Sequence, residues 1–252
     1  MTISVESWWA FLSAVAVLNI AAWFIAANAF KQQQVARLQI VLSGIYVFGC
    51  AFRSFLPLYD IPRICLVDSW ASSVLIGRSV ATFAEVAFAA QWAIFLRGRK
   101  ISLAIVPLIV IAEICSWYAV LTTANLGHVF ENSLWGISGA LIVAGLMSMT
   151  PRFPANRRPM LAAWAVAGTL YVTYIFLVDV PMYWSRWISD QANAREYLSI
   201  AQGIADASRC KLVSFRFEDW RNEMTWMTLY FSVGVWVSIS LIFVATPSKA
   251  KE

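Results

Sequence analysis

Residues 8–30 read WWAFLSAVAVLNIAAWFIAANAF, with no charged side chain anywhere in the run. About 20 helical residues cross a hydrocarbon core roughly 30 Å thick, so this stretch is long enough to span a bilayer by itself. Comparable runs follow at Leu38 to Phe52, Ser69 to Leu96, Ile101 to Thr123, Asn132 to Met149, Met160 to Val178 and Met224 to Thr246. The runs are continuous and do not alternate every second residue, which excludes a membrane β-barrel. The predicted fold class is all-α: a polytopic membrane protein, a bundle of seven transmembrane helices. The chain reads as one domain over residues 1–252, with no tandem repeat and no low-complexity segment.

Composition agrees. Hydrophobic residues make up 60% of the chain and charged residues 13%, roughly half the soluble-protein share. Mean hydropathy is +0.67. No Lys or Arg precedes the first run while Glu6 does, and the run exceeds the apolar region of an ordinary secretory signal, so a retained first helix is expected.

Charge placement sets the expected orientation. Lys31 and Arg37 lie between helices 1 and 2, Arg97, Arg99 and Lys100 between 3 and 4, Arg152, Arg157 and Arg158 between 5 and 6, and Lys249 and Lys251 in the tail. All four segments fall on one side, and none contains an acid before Glu252. The positive-inside rule makes that side cytoplasmic, with the N-terminus outside and the C-terminus inside. A plasma membrane is the expected location, the inner membrane if the source is bacterial. The basic pI near 9.2 comes from these short loops, so no nucleic-acid partner is predicted.

The outer side is mixed in charge. Pro57 to Asp68 forms its first loop, Thr122 to Phe130 its second, and about Tyr183 to Asn222 its third and longest. Tyr197, Ile200, Ala201 and Ile204 recur at spacings of three and four within Asp190 to Arg209, which predicts an amphipathic helix lying along the outer interface or capping the bundle. Trp184, Trp187 and Trp220 bracket it as interfacial aromatics would. Cys65 and Cys210 fall in the first and third outer loops and are expected to form a disulfide, whereas Cys50 and Cys115 lie within helices as packing residues.

Charges inside the spans need a reason, since each costs roughly 2.5–3.5 kcal/mol near the bilayer centre. Arg78 and Glu85 on helix 3 are seven residues apart, two turns along nearly one face, with Thr82 between them and Gln91 rotated away. Glu113 lies near the middle of helix 4, one turn before Trp117. His128, Glu131 and Trp135 open helix 5, Asp179 ends helix 6 before Pro181, and Asp219, Arg221 and Glu223 open helix 7. With Arg53, these groups collect in the outer third, and Glu85 and Glu113 sit deeper. The pattern predicts a polar cavity open to the outside with those two carboxylates at its floor. The bland alternatives are snorkelling of the helix-end charges to head groups and a structural Arg78–Glu85 ion pair.

Several chemistries are excluded by count. With one His and no CxxC or HExxH, zinc-finger and haem sites lack ligands. There is no GxSxG serine motif, and no lysine in the last span for a retinal Schiff base. A divalent cation held by Glu85, Glu113, Glu131 and His128 is an oxygen-rich possibility, and no cofactor is assigned.

The favoured reading is a membrane-embedded binding or active site for a lipid or other amphipathic small molecule. In it Glu85 and Glu113 are candidate catalytic, proton-transfer groups, and Arg78, His128, Glu131, Asp179, Asp219 and Glu223 are candidate binding residues. The alternatives are a proton- or cation-coupled transporter, against which the dry inner half of the bundle counts, and a membrane sensor or assembly subunit whose long outer loop meets a partner.

Overall fold

A computed structural model describes residues 4–244. The basic tail residues Lys249 and Lys251, and Thr246 at the expected end of the last span, lie outside the described residues. Among the described residues eight longer helices follow one another: α1 Val5–Phe30, α2 Gln34–Phe55, α3 Val74–Phe95, α4 Ser102–Thr122, α5 Asn125–Met149, α6 Arg158–Ala192, α7 Ile200–Ala207 and α8 Phe217–Val244. All but α7 are long and apolar enough to cross a membrane. This is the all-α membrane protein with seven spans that the sequence predicts.

The described chain divides into two compact units, one made of residues 4–91 and 207–244, the other of residues 92–206. In the first unit α1 packs on α2 and α8, and α2 packs on α8. The Ser4 hydroxyl accepts the Ser7 amide at 3.2 Å and Glu6 lies in the first turn of α1, so that helix starts capped and with its dipole complemented. Trp8, Leu12, Tyr46, Phe231 and Val235 fill the core. Trp220 belongs to that core too: it is fully buried, its ring centroid lies 5.7 Å from that of Trp8, and its indole N–H donates to the Ser214 carbonyl at 2.8 Å. The interfacial role expected for Trp220 is therefore corrected, since its only polar atom is satisfied inside the protein.

A small three-stranded sheet caps one end of this unit. Strands β1 Leu58–Tyr59 and β2 Ile64–Cys65 form an antiparallel pair, and β3 Leu212–Val213 joins β2 in parallel. Arg63, at the turn, adopts a left-handed φ of 74° and is buried. Its guanidinium donates to the Asp60 carbonyl at 2.7 Å, and its own carbonyl accepts the Lys211 and Leu212 amides. The predicted Cys65–Cys210 disulfide is present beside these strands, with Cα atoms 6.0 Å apart.

In the second unit α5 packs against both α4 and α6. The α4–α5 turn is short, passing through Thr123 at φ 62°. Gly127 permits the close approach that follows, because a β-carbon there would lie 2.8 Å from the Cys115 carbonyl. Such small-residue contacts let spans pack tightly where no hydrophobic force favours helix over lipid.

At 35 residues, α6 is about 52 Å long and overshoots a hydrocarbon core of about 30 Å. It contains a π-helical turn at Ile175–Asp179 and runs on to Ala192, into what the sequence assigns to the third outer loop. The amphipathic helix expected over Asp190 to Arg209 is not one helix. Ala194 takes a positive φ of 47°, residues 195–199 are irregular, and only Ile200–Ala207 is helical. Side chain and backbone bonding explains the break. Asp190 accepts from Asn125 at 2.7 Å and from Arg195 at 3.1 Å, and the Leu198 amide donates to the Thr122 carbonyl at 3.1 Å. Those bonds pin the strap to the α4–α5 turn, and Gly203 then sits directly on the Leu121 carbonyl, where no larger residue fits.

Candidate functional site

In the first unit the two-turn spacing on α3 does what helix geometry requires. Arg78 Nη2 lies 3.1 Å from Glu85 Oε2, and both residues are buried, at 5% and 7% exposure. The second carboxylate oxygen is engaged as well, accepting the Tyr230 hydroxyl at 2.9 Å. Tyr230 opens a π-helical turn of α8, Tyr230–Gly234. The Phe231 carbonyl in that turn accepts the Asn19 amide at 2.8 Å, and Asn19 accepts the Trp236 indole N–H at 2.9 Å. The carboxylate, the phenol and the displaced carbonyl thus each find a partner within this unit, as buried polar groups generally do.

Further along the same unit lies a polar cluster that carries no charge. Ser238 Oγ donates to Gln91 Oε1 at 2.5 Å and contacts Ser43 Oγ at 3.1 Å, while Gln91 Nε2 donates to Gln39 Oε1 at 3.1 Å. All four residues are fully buried. Tyr46, one turn beyond Ser43, stacks on Phe88 with centroids 4.5 Å apart and meets Tyr230 edge-on at 5.8 Å. Polar side chains therefore line this unit from Arg78 to Gln91, about 20 Å of helix rise.

The second unit holds a different arrangement. His128 Nδ1 and Glu131 Oε2 are 2.7 Å apart on the first turns of α5, and both residues are buried. The imidazole lies 4.8 Å from the Tyr183 ring at an interplanar angle of 34°, and Arg186 Cζ sits 5.3 Å from the centroid of that same ring. Trp184 and Trp187 pair at 4.8 Å beside them, with Trp184 half exposed. With Glu131 ionised, Nδ1–H donates to the carboxylate and Nε2 is left to accept or deliver a proton. Carboxylate-oriented imidazole is a recurrent acid–base arrangement.

The remaining predicted residues distribute as follows. Glu113 is buried on α4. Asp179 closes the π-helical turn of α6 and is half-buried. Asp219 accepts the Ser214 hydroxyl at 2.5 Å in the first turn of α8, the place of a helix-capping acid. Glu223 follows one turn later, half-buried, and Arg221 is exposed. Arg53 faces Asp60 at 3.9 Å. The divalent-cation possibility gains nothing, because among the described residues no three His, Cys, Asp or Glu side chains converge as ligands.

Sequence reasoning missed Tyr230, Tyr183, Arg186 and the Gln39–Ser43–Gln91–Ser238 cluster. The signal for the last was available in part: an uncharged amide in a span needs a partner, and Gln91, turned from the Arg78–Glu85 face, finds Gln39 and Ser238. No family model, curated protein or solved structure matches this chain.

Proposed function

We propose that this is a plasma-membrane protein, oriented with its N-terminus outside, that binds or modifies a lipid or other amphipathic small molecule at its outer end. The observation that carries the reading is the His128–Glu131 pair at 2.7 Å, backed by Tyr183 and Arg186. Arg186 supplies positive charge for an anionic head group, the tryptophan pair supplies an interfacial face for an acyl or ring moiety, and His128 Nε2 supplies proton transfer. Glu113, buried on α4 of the same unit, is the second proton-transfer candidate. Glu85, with both oxygens held by Arg78 and Tyr230, takes a bracing role.

Native mass spectrometry of the full chain, extracted in mild detergent, tests this. Wild type should retain an amphipathic molecule that His128→Gln, Glu131→Gln and Arg186→Gln lose or bind at least tenfold more weakly, with melting temperatures nearly unchanged. Equal retention by wild type and all three variants overturns the proposal.

A proton- or cation-coupled transporter is the second reading, and the buried polar side chains running from Arg78 to Gln91 favour it. Proteoliposomes loaded with a pH-sensitive dye separate the two. Protein-dependent, Glu85-dependent proton flux supports transport, and its absence alongside ligand retention supports the binding reading.

A further inference from the structure

The far end of the second unit carries a different chemistry. The α3–α4 connection and the α5–α6 connection, which fall together, hold Arg97, Arg99, Lys100, Arg152 and Arg157, Arg158 opens α6 beside them, and neither connection contains an acid. Specific contacts bring the two together. Arg99 Nη2 donates to the Ser148 carbonyl at 3.3 Å, and Phe95 stacks on Phe153 with centroids 6.0 Å apart. Beneath them Trp92, Phe95 and Trp164 pack ring against ring at 5.6–5.9 Å. Arg158 is committed to the loop backbone, donating to the Phe153 and Pro151 carbonyls at 2.9 and 3.0 Å. Arg97, Lys100 and Arg152 are exposed, with no side-chain partner among the described residues.

From this we propose that the arginine-rich end of the second unit is a binding site for the phosphate head group of an anionic phospholipid. The aromatic floor and the two backbone-tethered arginines hold the loops in place, so the three unengaged cations are presented on a fixed frame. Exposed apolar side chains lie on the adjoining helix ends: Leu103 at the start of α4 is 78% exposed and Met147 near the end of α5 is 65% exposed. A head group among the bases would thus place its acyl chains along α4 and α5. That geometry suits a lipid better than a soluble phosphoester, which has no use for the apolar flank. A zwitterionic head group is disfavoured, since its own cation would face six bases with no acid to receive it. Each base near an anionic head group is worth roughly fivefold in partitioning, so three of them multiply to about a hundredfold before losses from incomplete additivity.

The test uses the full chain in mixed micelles. Bound phospholipid per protein is measured against increasing phosphatidylglycerol, with phosphatidylcholine as the zwitterionic arm and glycerol 3-phosphate as the soluble competitor. Saturable retention of phosphatidylglycerol, at least tenfold tighter than phosphatidylcholine and not displaced by millimolar glycerol 3-phosphate, is the expected result. The combined Arg97→Gln, Lys100→Gln and Arg152→Gln variant should lose at least tenfold in apparent affinity, whereas Arg97→Lys with Arg152→Lys should keep most of it. Equal retention of the two phospholipids by wild type overturns the proposal whatever the variants do. Undiminished retention by a folded triple variant, or full displacement by glycerol 3-phosphate, overturns it as well. The His128 and Glu131 variants act at the other end of α5 and leave this measurement unchanged, so the two sites fail or succeed separately.

Discussion

Tyr230 donates its phenol to Glu85 at 2.9 Å across 145 residues of sequence, and thereby closes the coordination of a carboxylate whose other oxygen faces Arg78. The contact ties α3 to the π-helical turn of α8 within the first unit. A buried ion pair is costly to break from one side only, because the surviving charge stays desolvated.

That asymmetry orders three variants. Arg78→Ala should destabilise the folded protein by about 3–5 kcal/mol. Tyr230→Phe, which removes one hydrogen bond to a charged group, should cost about 1.5–3 kcal/mol. The paired change Arg78→Met with Glu85→Leu should cost less than Arg78→Ala alone. Thermal unfolding in detergent reads the order, and a milder effect of Arg78→Ala than of Tyr230→Phe would remove the bracing role.

Asp190 is the hub of the strap that follows α6, accepting from Asn125 and Arg195. Asp190→Ala should release it at a local cost of about 2 kcal/mol, which corresponds to about thirtyfold more frequent opening. Limited trypsinolysis at Arg195 is the readout, and cleavage should accelerate at least tenfold. Gly203→Val, which places a side chain against the Leu121 carbonyl, should expose the same bond.

The disulfide predicts a thiol count. Denatured, unreduced protein should titrate two thiols, Cys50 and Cys115, and reduced protein four. Cys65→Ser and Cys210→Ser should each slow migration on non-reducing gels and cost about 2–4 kcal/mol of stability. Two further thiols in the unreduced protein would mean that the bond does not form in cells.

Orientation is tested by labelling. A cysteine placed at Asn156 should be protected from an impermeant maleimide in intact cells, and one placed at Asp68 should react. The reverse pattern would invert the assignment of the outer end.

The spans were legible in the sequence because length and unbroken apolarity are properties of a single segment. So were Arg78–Glu85 and His128–Glu131, since each pair shares one helix and helical spacing alone aims the partners at each other. The disulfide was legible by elimination, only two cysteines lying outside the spans. What the sequence hid depends on neighbours. Tyr230 and Gln39 are ordinary residues until another helix supplies their partners. The π-helical turns follow from which carbonyl finds an outside donor, as Phe231 finds Asn19. Periodicity over residues 190–209 reads as a helix because it does not register that Asp190 and Thr122 capture the backbone first. Trp220 looked interfacial by position, yet a carbonyl six residues earlier lets it bury completely.

The bond between Cys65 and Cys210, separated by 145 residues, encloses α3 to α7 and every residue of the second unit in one covalent ring. Biosynthesis cannot close that ring until six of the seven spans have been made, so its closure certifies that the intervening segments are already present. A protease cut in any exposed loop between the two cysteines, including the strap at Arg195, opens the ring without separating the pieces. The nicked chain would travel as one molecule until a reductant reached the bond and parted it into two.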